Sequence, residues 1–226
     1  MDVIELPSPN FDERALPVSM IVLHYTGMPD ADGAIARLTS PEAKVSAHYV
    51  VKEDGEVLRL VDEDKRAWHA GKSYWRGVTD VNSASVGIEI VNPGHEFGYR
   101  PFPDEQIASL IPLIASIKER HGVSRGNVVG HSDIAPARKE DPGEFFPWWE
   151  LAKRRLALPS PSRDLMDPYW TDAGFLLALE RFGYDVTDTQ KAVIAFQRRF
   201  RPDLIDGVID GECRAKLLSL LLPRPQ

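Results

Sequence analysis

Cysteine is what this chain has least of. A single one, Cys213, occurs in 226 residues, which excludes an internal disulfide and any metal site built from several thiolates. Long apolar runs are missing too, since no stretch reaches the ~18 residues of a membrane-spanning helix. Positive charge is in deficit: 27 Lys and Arg stand against 34 Asp and Glu, a net charge of -7. With no basic run, the chain lacks the electrostatic footprint of a nucleic-acid binder. The opening Met-Asp-Val-Ile-Glu-Leu-Pro carries acids where an export signal carries lysines, so a cytoplasmic setting is favoured and a periplasmic or envelope setting stays open.

What remains is an ordinary globular composition, 43% hydrophobic and 27% charged, with enough apolar material for a sizeable core. Pro159-Ser160-Pro161-Ser162 is the clearest punctuation, because proline interrupts both helix and ladder. The expected organisation is a first unit over 1–158, a linker over 159–163 and a second unit over 164–226.

The first unit alternates strand and helix signals. Met20–Leu23 reads as a buried strand, and Ala47–Val51 and Val57–Val61 flank an Asp-Gly turn that suits a hairpin. Ser85–Val91 sends Val86, Ile88 and Ile90 to one face and Glu89 to the other. From Asp104, read as an N-cap, the spacing is helical through Ile107, Leu110, Ile111, Ile114 and Ile117, with Pro112 expected to kink the helix or cost a hydrogen bond. Val128-Val129 is a further short strand leading to His131. This pattern predicts an α/β unit with a mixed central sheet flanked by helices. The second unit reads as all-helical, three short helices in a compact accessory domain, from Phe175 to Phe182, around Val193 to Phe200, and near Leu217 to Leu221.

His24 and His131 both fall where a strand ends, the position at which sites in α/β layers gather. Asp141 lies ten residues beyond His131. Two imidazoles and a carboxylate suit a catalytic zinc with a fourth position for water. Spacing alone leaves other readings open, since histidines 107 residues apart match no local zinc signature and each could be a hydrogen-bonded core residue. Glu89 reads equally as a solvated carboxylate and Lys139 as part of a charged loop. His48 reads as structural, His95 and His121 as surface or helix-end residues, and Trp148 and Trp149 as packing.

The motifs taken together say more. His24-Tyr25-Thr26-Gly27, Ser46-Ala47-His48-Tyr49, Ala67-Trp68-His69-Ala70-Gly71, Gly87-Ile88-Glu89-Ile90 and the run from Gly130 to Gly143, which includes Arg138-Lys139-Glu140-Asp141-Pro142, occur in that order. The series resembles the zinc-dependent N-acetylmuramoyl-L-alanine amidases of the AmpD/AmiD type, whose fold is shared with peptidoglycan recognition proteins. Leu179-Glu180-Arg181-Phe182-Gly183-Tyr184, Ala195-Phe196-Gln197-Arg198-Arg199-Phe200 and Asp206-Gly207-Val208-Ile209-Asp210 look like a three-helix peptidoglycan-binding module. That two-part arrangement is closer to the AmiD branch than to the single-domain AmpD branch.

The resemblance implies one zinc per chain held by His24, His131 and Asp141, with Glu89 as the proton-transferring carboxylate and Lys139 assisting at the substrate carbonyl. Trp68 and His69 are the expected substrate-groove residues. The implied reaction is hydrolysis of the amide between the lactyl group of N-acetylmuramic acid, or its 1,6-anhydro form, and L-alanine. Peptidoglycan fragments or the sacculus are the implied partner, with no obligate protein partner. The alternative is a muropeptide-binding protein that does not cut. A purely structural zinc fits poorly, because such sites take four protein ligands rich in cysteine.

Overall fold

Strand Met20–Tyr25 is apolar on both faces over its first four residues and almost wholly buried, the pattern of a central parallel strand covered on both sides. It is the third of eight strands in the computed structural model, which describes residues 2–161 and 165–222. In chain order they are β1 (Ile4–Glu5), β2 (Phe11–Glu13), β3 (Met20–Tyr25), β4 (Tyr49–Val51), β5 (Val57–Arg59), β6 (Lys65–Ala67), β7 (Ser85–Ile90) and β8 (Val128–Gly130). Six form one sheet in the order β1-β5-β4-β7-β3-β8, while β2 and β6 make a separate antiparallel pair. Strands β4, β7, β3 and β8 run parallel to one another. The β4–β5 hairpin is antiparallel, so the sheet is mixed but mostly parallel.

Ile21, Leu23, Val86, Ile88 and Ile90 pack with the stripe of helix Asp104–His121, in which Ile107, Leu110, Leu113, Ile114 and Ile117 are buried. The helix departs from the sequence reading at its start and bears out the expected lost hydrogen bond at its proline. Asp104 is its first residue rather than its cap, since Pro103 occupies the N-cap position and no side-chain cap bond forms. The helix also continues through Pro112. Pro112 and Ala108 are both exposed, so the carbonyl that proline leaves without its helical donor faces water, which limits the cost.

The other face of the sheet leads to the C-terminal helices, Asp172–Phe182, Thr189–Phe200 and Gly211–Leu221. Each is opened by a side-chain N-cap, from Thr171, Asp188 and Asp210. Gln197 and Arg201 bond Asp206, and Arg201 also pairs with Asp210. The polar words of the tail are thereby bonded to one another. The helices pack directly against the first unit. One apolar cluster holds Met20, Val22 and Val129 of the sheet, Trp75 and Ile134, and Phe175, Phe182, Tyr184, Phe196 and Phe200 of the tail. The three helices, of 11 or 12 residues each, share their core with the first unit. The expected linker, 159–163, lies partly outside the described residues.

The seam is polar as well as apolar. The backbone N–H of Arg76 donates to the Gly183 carbonyl at 3.1 Å, and its guanidinium Nε donates to the Phe182 carbonyl at 2.9 Å. Tyr184, fully buried, donates its hydroxyl to the Asp133 carboxylate at 2.5 Å. Asp133 also accepts from the Gly130 N–H at 2.8 Å. Among the described residues no helix is long and apolar enough to cross a membrane.

Two measurements follow from this packing. Tyr184→Phe leaves a buried carboxylate short of a donor and lowers unfolding free energy by about 1–3 kcal/mol, read from denaturant titration. The second concerns His48, whose Nδ1 accepts from the Gly87 N–H while its Nε2 donates to the Lys65 carbonyl. Burial lowers the pKa of this imidazole to about 3. The unfolded chain takes up a proton near pH 6.5 and the folded chain does not, so this contribution is complete above pH ~6.5 and declines as the pH falls toward 3. A His48→Gln variant, less stable at pH 7, shows a shallower decline across that window.

Candidate metal centre

Three adjacent parallel strands bring the centre together. The β3–β7 register sets His24 beside Glu89, and the β3–β8 register sets Leu23 beside Gly130, one residue before His131. Alternation turns Leu23 and Ile88 into the core and leaves His24 and Glu89 on the opposite face. His131 opens the short helix His131–Ile134, and the following loop returns Asp141 to it, its carbonyl accepting from the Ser132 N–H at 2.8 Å.

The donor atoms form a small triangle. His24 Nδ1 lies 2.9 Å from His131 Nδ1 and 3.0 Å from Asp141 Oδ2, and His131 Nδ1 lies 3.1 Å from that same oxygen. All three residues are buried. Burial, then the neighbouring His131, lowers the His24 pKa to about 4.

The hydrogen-bond chain behind the imidazoles decides which nitrogens carry protons. His131 Nε2 faces the Ala70 carbonyl at 3.1 Å, and a carbonyl only accepts, so Nε2 carries the hydrogen and Nδ1 presents a lone pair. On the other side Ser85 donates to the Val81 carbonyl at 2.6 Å and therefore accepts from His69 Nε2 at 3.3 Å. His69 Nδ1 is then an acceptor, 3.0 Å from His24 Nε2, which must donate. His24 Nδ1 is left with a lone pair directed at that of His131. Two lone pairs and a carboxylate oxygen converging at about 3 Å repel one another unless a cation lies among them, and the N,N,O donor set suits zinc.

The support is tightly built. Asn82 Oδ1 accepts from the backbone N–H groups of both His69 and Ala70, at 3.0 and 2.7 Å. Gly87 gives the His69 ring its room, for a Cβ there would come within 2.4 Å of the ring.

Glu89 stands beside this centre with Oε2 buried and without a hydrogen-bond partner. Burial, then the charge of Asp141, raises its pKa well above the usual carboxyl range, against the opposing pull of Lys139. A cleft of about 470 Å³ opens over the centre, with Trp68, His69, Glu89, His95 and Lys139 among its walls. All seven residues singled out from the sequence thus meet at one cleft, although His69 does so chiefly from behind His24.

The sequence reading passed over four contributors. Ser85 and Asn82 carry no motif of their own, and Gly87, though it opens the Gly87-Ile88-Glu89-Ile90 motif, was given no role. His95, read as a surface residue, lines the cleft, with Nδ1 3.0 Å from the Tyr25 hydroxyl and its ring stacked on Tyr99.

A buried two-histidine, one-aspartate centre open to a cleft at the ends of parallel strands has the layout of a metallohydrolase. Residues 14–144 match the family model described as N-acetylmuramoyl-L-alanine amidase, and the chain belongs to that family. It is 38% identical over 231 residues to the N-acetylmuramoyl-L-alanine amidase AmiD of Escherichia coli, covering 90% of this chain and 82% of the relative. The 1,6-anhydro-N-acetylmuramyl-L-alanine amidase AmpD of Haemophilus influenzae is 32% identical over 167 residues, 65% of this chain and 89% of that protein. Among solved structures, the complex of the Escherichia coli amidase AmiD with the substrate anhydro-N-acetylmuramic acid-L-Ala-D-γ-Glu-L-Lys superposes with a TM-score of 0.82 at 34% identity. It covers 94% of this chain and 97% of that one. AmpDh3 of Pseudomonas aeruginosa superposes at 0.81 with 33% identity, covering 90% and 91%.

A Gly87→Ala substitution drives a methyl group into His69 and disturbs the tautomer chain without touching a donor atom. Affinity for zinc, measured by competition with a chromogenic chelator, should fall roughly ten- to a hundredfold, the usual scale for losing such outer support.

Proposed function

We propose that the chain is a zinc-dependent N-acetylmuramoyl-L-alanine amidase. It hydrolyses the amide between the lactyl group of N-acetylmuramic acid, or its 1,6-anhydro form, and L-alanine in muramyl peptides such as anhydro-N-acetylmuramic acid-L-Ala-D-γ-Glu-L-Lys. The observation that carries the reading is the His24, His131 and Asp141 triangle with its lone pairs set inward, beside an orphaned Glu89 carboxyl. Family membership and the 38% identity over most of the chain support the same reaction.

His24, His131 and Asp141 would hold the zinc, which would supply Lewis acidity for activating water and polarising the scissile carbonyl. Glu89, whose Oε2 has no partner of its own, accepts a proton from the attacking water and delivers it to the departing amine of L-alanine. Lys139, at the cleft wall, steadies the carbonyl oxygen as negative charge grows on it. His69 keeps His24 in its working tautomer, and Trp68 offers an apolar wall to the substrate. The chemistry needs no covalent bond to the protein. The C-terminal helices, covered in the match to the Escherichia coli amidase, act in this reading as a peptidoglycan-binding module.

The test is incubation with a defined muramyl tripeptide and mass spectrometry of the products. Free tripeptide appears, disappears with a chelator and returns with zinc. Glu89→Gln keeps zinc but loses turnover by about a hundredfold or more, the scale of a missing proton-transfer group. Asp141→Ala loses metal and activity together. A protein holding one zinc that leaves the substrate intact would instead be a muropeptide-binding protein.

A further inference from the structure

Both imidazoles of the centre are oriented by one short stretch of chain. His69 Nδ1 accepts from His24 Nε2, and the carbonyl of the next residue, Ala70, accepts from His131 Nε2. The two rings thus take their angles from adjacent residues of a loop between β6 and β7. Whatever fixes that loop fixes the donor set.

The amide side of the loop is held by Asn82, which takes the N–H groups of His69 and Ala70. The carbonyl side is held from elsewhere, by Arg138. Its Nη2 donates to the Ala70 carbonyl at 3.0 Å and to the Lys72 carbonyl at 2.5 Å, and its Nε donates to Lys72 at 3.1 Å. Gly71, between the two acceptors, has φ +58, a left-handed conformation that suits glycine, and the carbonyls on either side of it meet the same guanidinium. The Ala70 oxygen has two lone pairs, so it serves Arg138 and the His131 ring together.

Arg138 is also tied to the centre through its own backbone. It lies three residues before Asp141, and the N–H groups of Arg138 and Lys139 both donate to the Ala135 carbonyl, at 2.9 and 3.1 Å, closing a turn on the helix His131–Ile134. The side chain therefore joins the segment that bears Asp141 to the loop behind His24 and His131. This arrangement runs against charge. Only the Ala70 carbonyl stands between the guanidinium and the His131 ring, and a fixed cation so near weakens the attraction of the site for a divalent metal. A lysine would bring the same charge without the planar fork that reaches two carbonyls. Geometry is what the residue contributes.

We propose that Arg138 is a positioning residue for the metal centre, its fork clamping Ala70 and Lys72 to the segment that carries Asp141 and so holding the two imidazoles at the angles a single ion needs. The role rests on the zinc reading of the centre but needs no hydrolysis, so its main test is made without substrate. Zinc affinity of the full chain is measured by competition with a chromogenic chelator, and the visible absorption of the cobalt(II)-loaded protein reports ligand geometry. Arg138→Gln weakens zinc binding about tenfold, the lower end for loss of such outer support, although removing a positive charge would by itself strengthen it. Arg138→Lys, which keeps the charge and loses the fork, shows the same weakening, and both variants shift the cobalt bands. Arg37→Gln, a loss of charge at another wall of the cleft, does not weaken zinc binding and leaves the cobalt bands in place.

Zinc binding by Arg138→Gln that is unchanged or tighter overturns the proposal. So does an Arg138→Lys protein with the affinity and cobalt spectrum of the unaltered chain, since the fork would then be dispensable. A raised KM for a muramyl tripeptide, with zinc binding unaltered, makes Arg138 a substrate contact and overturns the clamp equally. An unaltered chain that binds no zinc overturns the zinc reading itself, whereas zinc binding without hydrolysis overturns the amidase reading and leaves the clamp standing.

Discussion

The centre depends on a repulsion. His24 and His131 point lone pairs at each other across 2.9 Å, with the Asp141 carboxylate closing the triangle. Left to itself the arrangement would relax by turning a ring or moving a proton. It is prevented from doing so by two anchors that only accept hydrogen, the carbonyls of Ala70 and Val81. Because backbone carbonyls cannot change role, the tautomers of His131, His69 and His24 follow from them in turn. The fold therefore spends its precision behind the donors, in Ser85, Asn82 and the bare Cα of Gly87, so that the face toward the cleft is ready for a cation.

The same economy explains why the C-terminal helices cannot be regarded as an attached bead. Their apolar cluster runs into the sheet through Trp75 and Ile134, and Tyr184 bonds Asp133, two residues beyond His131 on the same short helix. Asp133 in turn takes the N–H of Gly130 at the end of β8. The strand end that delivers a metal donor is thus braced from the tail. The tail helices share their core with the first unit, and the first unit gains a braced strand end behind its centre.

Much of this was legible in the chain. Alternation in Ser85–Val91 put Glu89 opposite the core, and the register agrees. The strand ends at His24 and His131, the Asp-Gly hairpin and the helical stripe from Ile107 to Ile117 all hold. Where local rules misled, the reason was local too. Asp104 sits one position inside the helix because Pro103 takes the cap, whereas Pro112 costs the bond expected of it and is accommodated because the orphaned carbonyl faces water. Trp149 was misjudged as packing because exposure depends on which loops fold over a residue, and its neighbours in sequence do not record that.

By itself the sequence determined the central strands, the long helices and the order of the motifs, since periodicity and residue chemistry are properties of short segments; the candidate metal donors came from the family resemblance of those motifs. Only the tertiary structure decided that His69 stands behind His24, that Gly87 must lack a side chain, and that Tyr184 reaches Asp133. Each of these joins residues distant in the chain or on different strands. Hydrogen-bond direction, steric room and burial exist only between surfaces that folding has brought together.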